Sequence, residues 1–159
     1  MHIRNATPTD RDAILALVPR LADHGTPFGR NHDAIVAVDI QTVANAIEQR
    51  DTEVEVLVAE DESGIVGFVH VRTVIDYYTQ APIGHVSDIV VAEGTEGRGV
   101  GRALIAAAQD WACGKGYRMM QLYVLPENVS ARALYERMGY RVEWIKLVSP
   151  LGPKGDGAD

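Results

Sequence analysis

The chain has 159 residues, of which 47% are hydrophobic and 23% are charged, so it is long and apolar enough to bury the core of one globular domain. Its formal net charge of −7 argues against nucleic-acid binding, which usually requires a basic face, and weakly favours cationic partners.

The single cysteine, Cys113, excludes an intrachain disulfide and suits a reducing compartment, so we expect a cytoplasmic protein. Because Cys113 falls near the end of an apolar-periodic helix, we expect a packed thiol rather than a nucleophile. The sequence contains no signal peptide and no apolar run of membrane-spanning length, so no membrane association is expected.

The first third of the chain predicts a strand and two helices. His2–Ala6 is a short strand. Thr9–Asp12 resembles a capping box, and Pro19 is expected to kink or end the helix that follows, whose apolar stripe is Ile14, Leu17, Val18 and Leu21. Residues 22–38 are predicted as a loop. Asp39 is expected to cap a second helix with the inner face Ile40, Val43, Ala44 and Ile47.

The middle of the chain predicts three strands. Val54–Glu60 and Ile65–Val74 flank the turn Asp61–Gly64, which indicates an antiparallel hairpin. A connector over Asp76–Pro82 leads to a third strand, Gly84–Val91.

A glycine-dense loop follows this strand and opens a helix. Gly97, Gly99 and Gly101 stand where the helix begins, and its buried face is Val100, Ala103, Leu104, Ala107, Ala108, Trp111 and Ala112. The absence of Cβ atoms lets a ligand approach the backbone closely, and the N–H groups of a first helical turn have no intrahelical partners. Together with the helix dipole and the charges of Arg98 and Arg102, these groups suit phosphate oxygens.

Two other phosphate-binding loops do not match this one. A dinucleotide fingerprint requires glycine three residues after Gly99, where the chain has Arg102, and a Walker A loop would end in Gly-Lys-Ser/Thr. A purely structural role, a tight turn with close helix–strand packing, stays open for the loop taken alone.

The last third predicts a strand at Arg118–Val124, a helix from Asn128 to Gly139 and a final strand at Tyr140–Val148. A helical crossover makes the strands at Gly84–Val91 and Arg118–Val124 parallel neighbours. We therefore predict one α/β (α+β) domain over residues 1–149, with a mixed, mostly antiparallel sheet and about four helices. Residues 150–159 read as a disordered tail.

Two segments together resemble the GNAT superfamily of N-acetyltransferases. The first is the loop Glu96–Gly101 with its apolar helix, which resembles the family's acyl-CoA pyrophosphate loop. The second is Gln121–Tyr140, with a strand, an asparagine at a helix start, Leu134-Tyr135, and the pair Gly139-Tyr140. The resemblance extends over about residues 54–148 and implies that the parallel strands splay apart at a bulge, leaving a cleft for pantetheine and acceptor.

The resemblance implies a catalytic role for Tyr135, because the family places a tyrosine at this position beside the CoA sulfur. A phenol with a pKa of about 10 can protonate a departing thiolate whose thiol has a pKa of about 8.5. Asp88 is the candidate for receiving the amine proton. A carboxylate among apolar strand residues is costly unless it is satisfied, and burial would raise its pKa. For Tyr135 a buried helical stripe is the alternative, and for Asp88 a structural ion pair or a loop cap.

The implied cofactor is acetyl-CoA. Asn128, the expected helix N-cap, matches a family asparagine that often also bonds the cofactor arm. The backbone N–H groups of Ile89 and Val91 are expected to bind the pantetheine amide and the thioester carbonyl. The full set of predicted cofactor-binding residues is Ile89, Val90, Val91, Glu96, Gly97, Arg98, Gly99, Val100, Gly101, Arg102, Asn128 and Tyr135.

Glu96 departs from the family pattern, which usually has Gln or Arg at the first loop position. A carboxylate near a pyrophosphate is unfavourable. Backbone N–H groups and Arg98 could offset its charge, or Glu96 could turn outward.

The expected function is direct acetyl transfer from acetyl-CoA to the primary amine of a small molecule or peptide, in a ternary complex. The alternative is a non-catalytic acyl-CoA-binding regulatory domain, which would need neither Asp88 nor Tyr135. Phe28, Tyr77 and Tyr78 are expected near the acceptor mouth. No residues have metal-ligand spacing, and a homodimer is among the expected states because dimers are common in such folds.

Overall fold

A five-stranded mixed sheet forms the centre of the protein, as seen in a computed structural model that describes residues 1–49 and 51–152. Its strands follow one another across the sheet in chain order: β1 (His2–Asn5), β2 (Val54–Asp61), β3 (Gly64–Ile75), β4 (Pro82–Val91) and β5 (Met120–Leu122). Neighbouring strands are antiparallel except β4 and β5, which are parallel.

Within the described residues, four α-helices flank the sheet: α1 (Arg11–Leu17), α2 (His32–Glu48), α3 (Val100–Gly114) and α4 (Val129–Arg137). Pro19 ends α1 as expected, and the chain continues as a 3₁₀ turn over Val18–Ala22. The predicted fold class, a mixed and mostly antiparallel sheet with one parallel pair and four helices, is confirmed.

The sheet separates two hydrophobic cores. One core lies under α1 and α2, where Ile14, Val18 and Val43 pack on Phe68 and Val90. The other lies under α3 and α4 and joins their buried residues to alternate residues of the central strands: Leu104, Ile105, Ala108 and Tyr135 with Val69, Val71 and Val86. Successive residues of β3 and β4 therefore face opposite cores, as the two-residue period of a strand requires.

The predicted capping box at Thr9–Asp12 is wrong by two residues. Thr7 is the residue that donates, through its N–H at 2.7 Å and its hydroxyl at 2.8 Å, to the carboxylate of Asp10. Arg4 binds the same carboxylate through both terminal guanidinium nitrogens, at 2.7 and 2.9 Å. The pattern Thr-x-x-Asp occurs at both registers. The register at Thr7 brings Asp10 to both terminal nitrogens of the Arg4 guanidinium, whereas Asp12 is exposed and has only a contact of 3.4 Å with Arg11.

The predicted loop over residues 22–38 is confirmed over residues 23–31 but wrong from residue 32 onward, and the predicted cap at Asp39 is wrong. Helix α2 begins at His32, where the side chain of Asn31 accepts a hydrogen bond from Ala34 N–H at 3.0 Å. The first turn of α2 is exposed, so it carries no apolar stripe that a sequence pattern could detect. Asp39 lies inside the helix, and the predicted inner face is confirmed because Val43 and Ala44 are buried.

The last part of the sheet is smaller than predicted. Strand β5 covers Met120–Leu122 rather than residues 118–124, because it loses its neighbour where β4 diverges. Residues 140–148 form no strand. A half-buried strand needs one covered face, but both alternating sets of apolar side chains are exposed here, as Trp144 and Ile145 show.

Cys113 is exposed near the end of α3, so the expectation of a packed thiol is wrong. The helical stripe that covers the core ends with Ala112, and Cys113 faces the other way. Of the predicted tail at 150–159, residues 153–159 lie outside the described residues.

Candidate functional site

The parallel strands β4 and β5 enclose a gap that opens at their carboxyl ends. They pair over three positions, from Gly84 opposite Met120 to Val86 opposite Leu122, and no pairing continues beyond Leu122. The register between β3 and β4 shifts at the same place, because His70 pairs with Asp88 and Val71 with Val86. Ser87 is therefore an extra residue, a β-bulge that bends β4 away from β5.

The bulge decides which backbone groups of β4 face the gap. Before it, the N–H of Gly84 points toward β5 and donates to Met119 O at 3.0 Å. After it, the N–H of Ala92 points toward β3 and donates to Val66 O at 2.8 Å. With a period of two, the N–H groups of Ile89 and Val91 therefore face the gap, and Val90 N–H faces β3.

The amino end of α3 adds a second set of free donors beside the end of β4. Gly99 is the N-cap and has a φ of 83°, a left-handed conformation that favours glycine. The first helical N–H with a backbone acceptor is that of Ala103, which donates to Gly99 O at 3.0 Å. The N–H groups of Val100, Gly101 and Arg102 precede it and have no intrahelical acceptor.

Gly101 lets α3 approach both α4 and β4. A Cβ atom at this position would lie 3.3 Å from Leu134 Cδ2 and 3.6 Å from Val91 Cγ2. The same loop therefore serves both packing and exposed amide groups. Close packing accounts for Gly101, and the left-handed backbone of the turn accounts for Gly99, whose Cβ would meet nothing within 4 Å.

Glu96 is paired with a cation that the sequence did not suggest. Arg20 Nη2 lies 2.8 Å from Glu96 Oε1, and Arg20 Nε donates to Val91 O at 3.0 Å. Backbone N–H groups of Glu96 and Gly94, together with Arg20, lower the pKa of the Glu96 carboxyl. The expected partner Arg98 instead lies 3.5 Å from Asp61, so Arg20 is the cation that offsets this carboxylate.

Tyr135 and Asn128 lie on α4, on the side of the sheet that α3 covers. Asn128 caps α4, since its side-chain oxygen accepts from Ala131 N–H at 3.2 Å. Tyr135 is 8% exposed and its ring meets that of Tyr140 edge-on at 5.9 Å. Burial raises the pKa of Tyr135 to about 12, so the phenol keeps its proton at neutral pH.

A row of polar side chains lies on the opposite face of the sheet, beside α2. His70 Nδ1 and Asp88 Oδ2 are 2.7 Å apart, and the Gln121 amide nitrogen is 3.2 Å from His85 Nδ1. The ring of Tyr123 lies 5.3 Å from that of His85. Asp88 and Tyr135 thus lie on different faces of the sheet, and the gap between β4 and β5 connects the two faces.

Burial and the charge of Arg72 lower the pKa of His85 to about 4, so this histidine is neutral at physiological pH. On α2, burial and then the nearby carboxylate of Asp88 raise the pKa of Asp39. Burial is the first cause of both shifts, so this face of the sheet disfavours the charged forms of His85 and Asp39.

Sequence reasoning missed His70, His85 and Arg20. His70 and His85 each interrupt an apolar strand, between Val69 and Val71 and beside Val86, and that interruption was a usable signal of the same kind that selected Asp88. Arg20 had no such signal, because its contacts with Val91 and Glu96 join residues more than 70 positions apart in the chain.

The residues predicted near the acceptor mouth lie at different ends of β4. Phe28 is 65% exposed in the loop after Val18–Ala22, whose Arg20 contacts the last residue of β4. Tyr77 and Tyr78 lie in the connector that precedes the first residue of β4, and Tyr78 stacks on Trp144 with ring centres 6.1 Å apart. The structure does not bring Phe28 together with the two tyrosines.

Within residues 1–49 and 51–152, no three His, Cys, Asp or Glu side chains come together in an arrangement that could hold a metal ion. None of the helices in these ranges combines the length and the apolar composition needed to cross a membrane.

Comparison with known proteins gives one match at the level of a family. The sequence profile described as "Acetyltransferase (GNAT) domain" matches residues 52–142, which include the gap, the glycine loop, α3 and α4.

Individual relatives agree with this match. The chain is 28% identical to the uncharacterised N-acetyltransferase YhfO of Bacillus subtilis over 142 residues, covering 88% of this chain and 89% of that protein. It is 35% identical over 95 residues to an aminoglycoside N(6')-acetyltransferase type 1 of Stenotrophomonas maltophilia, covering 55% of this chain and 61% of that protein. The structure superposes with a TM-score of 0.72 on aminoglycoside N-acetyltransferase AAC(6')-Iy in complex with CoA, at 22% identity over 94% of this chain and 93% of that one.

Proposed function

The chain belongs to the GNAT acetyltransferase family and is an acyltransferase, and we propose that it moves an acetyl group from acetyl-CoA to a primary amine by direct transfer in a ternary complex. The observation that carries this proposal is the convergence of two sets of free N–H donors. Those of Val100–Arg102 begin α3, and those of Ile89 and Val91 face the adjoining gap.

Residues Glu96–Arg102 fit the pyrophosphate of CoA. Backbone N–H groups at a helix start, aided by the helix dipole, favour phosphate oxygens, and the side chains of Arg98 and Arg102 are exposed beside them. The pairing of Glu96 with Arg20 removes the main electrostatic objection to an anion here. One relative in structure carries CoA in its own complex, which supports the same ligand for this chain.

The gap fits the pantetheine arm. Ile89 and Val91 would donate their N–H groups to amide or thioester oxygens, with Val90 between them and Asn128 and Tyr135 on the α4 side. The hydroxyl of Ser87 at the bulge is buried and has no hydrogen-bond partner among the described residues.

Asp88 is proposed to receive a proton in the reaction, and Tyr135 is proposed to stabilise the departing sulfur as a hydrogen-bond donor. Asp88 would accept a proton from the ammonium group, and Tyr135 would donate to the departing sulfur from the other face of the sheet. Holding both substrates in line can lower the barrier by about 7–11 kcal/mol in the best cases, so these two groups need to supply only part of the rate.

The acceptor is proposed to be a small cationic amine. Asp39 and Asp88 place two carboxylates near each other on the α2 side, and the whole chain has a net charge of −7. One relative is named an aminoglycoside N(6')-acetyltransferase, which supports an amine acceptor. We propose a cytoplasmic location because a single exposed thiol suits a reducing compartment.

Two measurements test the proposal. Calorimetry with CoA at several temperatures should show saturable binding, and a panel of primary amines should release free thiol from acetyl-CoA in an enzyme-dependent way. Absence of heat at every temperature would refute the cofactor assignment. Binding without amine-dependent thiol release would refute the acceptor class and favour the regulatory alternative.

A further inference from the structure

His70 and Asp88 form a buried pair across strands β3 and β4. His70 Nδ1 lies 2.7 Å from Asp88 Oδ2, and the two residues are register partners in the sheet. The side chains are 4% and 14% exposed. The proposed function uses Asp88 as the proton acceptor but gives no role to this histidine.

The position of His70 is costly for a structural residue. It lies between Val69 and Val71 in the middle of a central strand, where an apolar side chain would pack without loss of hydration. An ionised carboxylate only accepts hydrogen bonds, so a contact of 2.7 Å requires the proton of the imidazole to be on Nδ1. The imidazole thus occupies Oδ2 and leaves Oδ1 of Asp88 for another partner.

We propose that His70 is a positioning residue for amine deprotonation, which holds the Asp88 carboxylate with Oδ1 directed to the acceptor. This inference rests on the proposed function. In the step, one N–H bond of the ammonium group breaks, its proton moves to Asp88 Oδ1, and the freed electron pair of the nitrogen forms the C–N bond at the acetyl carbonyl. The C–S bond then breaks, and the departing sulfur of CoA takes up the second proton that the nitrogen loses, with Tyr135 as its proposed hydrogen-bond donor. His70 keeps its own proton on Nδ1 throughout, and the proton on Asp88 passes to water after the product leaves.

The surroundings of the pair allow this role. On its α2 side His70, but not Asp88, borders a recess of about 180 Å³, lined also by Thr42, Asn45 and Gln49. The charged or titratable groups that face the pair are Asp39 on α2, Arg72 on β3, His85 on β4 and Asp51 before β2. None of these groups is hydrogen-bonded to Asp88 among the described residues, so His70 is the side chain that fixes the carboxylate.

The test compares H70L, H70N and the wild type by kcat, KM for the amine, the pH profile of kcat/KM, and CoA affinity. H70L should lower kcat by about 10- to 100-fold while CoA affinity stays within about twofold. The pH profile of kcat/KM for H70L should differ from that of the wild type, because the Asp88 carboxylate has lost its hydrogen-bond donor. H70N should recover most of the rate and the wild-type profile, since its amide N–H₂ can donate from nearly the position of Nδ1.

The outcomes separate this role from its alternatives. Wild-type kcat and pH profile in H70L would overturn the proposal. Equal losses in H70L and H70N would also overturn it, because they would mean that an imidazole is needed for more than one donated bond. H70L placed on D88N should add little further loss if the role is right. A wild type without amine-dependent thiol release would instead refute the proposed function, and this role with it.

Discussion

The phenol of Tyr135 has a different acidity from the one that its sequence context suggests. An exposed tyrosine has a pKa of about 10, which is close enough to that of a thiol for easy proton exchange. Burial raises the pKa of Tyr135 to about 12, which makes it a weaker acid. We therefore expect Tyr135 to act mainly as a hydrogen-bond donor that stabilises the departing sulfur, and to stay protonated throughout the assay range.

Y135F should lower kcat by about 100-fold and leave CoA affinity nearly unchanged, because it removes one donor and no backbone contact. Steady-state rates combined with calorimetry measure both quantities. Tyr140 supplies a matched control, since its ring adjoins that of Tyr135 at 5.9 Å. Y140F should stay within about twofold of the wild-type rate. A wild-type rate in Y135F would remove Tyr135 from the mechanism.

Asp10 provides a test of stability rather than activity. Its carboxylate accepts four hydrogen bonds from Arg4 and Thr7, and the Arg4 guanidinium holds the pKa of this carboxyl well below its usual range. A depressed folded-state pKa stabilises the fold above the unfolded pKa of about 4, and this stabilisation disappears as the pH falls toward the folded value.

D10N should therefore reduce the free energy of unfolding at pH 7 by about 1–2 kcal/mol, a figure discounted for the solvent that reaches Arg4. Urea unfolding at pH 7 and at pH 3 measures the difference. The gap between variant and wild type should narrow below pH 4, and a gap that is constant with pH would contradict the ionic explanation.

At the scale of elements, helix α3 is placed by the loop that precedes it. Gly99 at a φ of 83° and Gly94 at a φ of 77° lie in this one loop, and a Cβ atom at either would meet nothing within 4 Å. They therefore share a conformational cost but differ in position, because only Gly99 caps the helix whose first amides are proposed to bind phosphate.

G99A and G94A should each destabilise the fold by about 1 kcal/mol, since alanine is strained in the left-handed region. Only G99A should weaken CoA binding, by about tenfold or more, because the strain falls on the amides at the start of α3. Calorimetry and thermal unfolding on both variants give the comparison. Equal losses of CoA affinity would show that the loop acts through its overall shape rather than through the helix terminus.

Two asparagines allow a similar comparison of helix caps. Asn31 caps α2 and Asn128 caps α4, each by accepting a hydrogen bond from the third residue beyond it. N31A and N128A should each cost about 1 kcal/mol of stability. N128A should in addition weaken CoA binding if the asparagine also bonds the cofactor arm. Unchanged CoA affinity in N128A would limit Asn128 to its capping role.

At the scale of the whole molecule, local patterns could be predicted and long-range pairings could not. The loop around Gly97 and Gly99, the hairpin of β2 and β3 and the helix from Asn128 depend on neighbouring residues, so their sequences were sufficient. The pairs Arg20–Glu96 and His70–Asp88 join distant positions. The second also depends on a bulge that no periodicity marks. Residues 140–148 alternate like a strand, but a strand also requires a neighbour, which a local pattern does not contain.

The positions of the two proposed substrate sites predict the kinetic mechanism of the reaction. Because the proposed CoA donors and the acceptor side lie on opposite faces, both substrates can be bound at once. Initial rates should therefore give intersecting double-reciprocal lines. Parallel lines would indicate a covalent acyl-enzyme and contradict direct transfer.

C113S should leave the rates unchanged, since this thiol is exposed and lies about 20 Å along α3 from the glycine loop.

The bulge residue in β4 limits which mutations of this strand the enzyme could tolerate. With Ser87 present, Asp88 lies with His70 on the α2 face of the sheet, which is the proposed acceptor side, and the next backbone N–H points into the gap. Deletion of one residue here would reverse the direction in which both groups face. The Asp88 carboxylate would then enter the apolar layer under α3, and the backbone N–H would face β3. A single deletion would therefore remove the proposed proton acceptor and the proposed thioester donor together, whereas substitutions along this strand can change its specificity gradually.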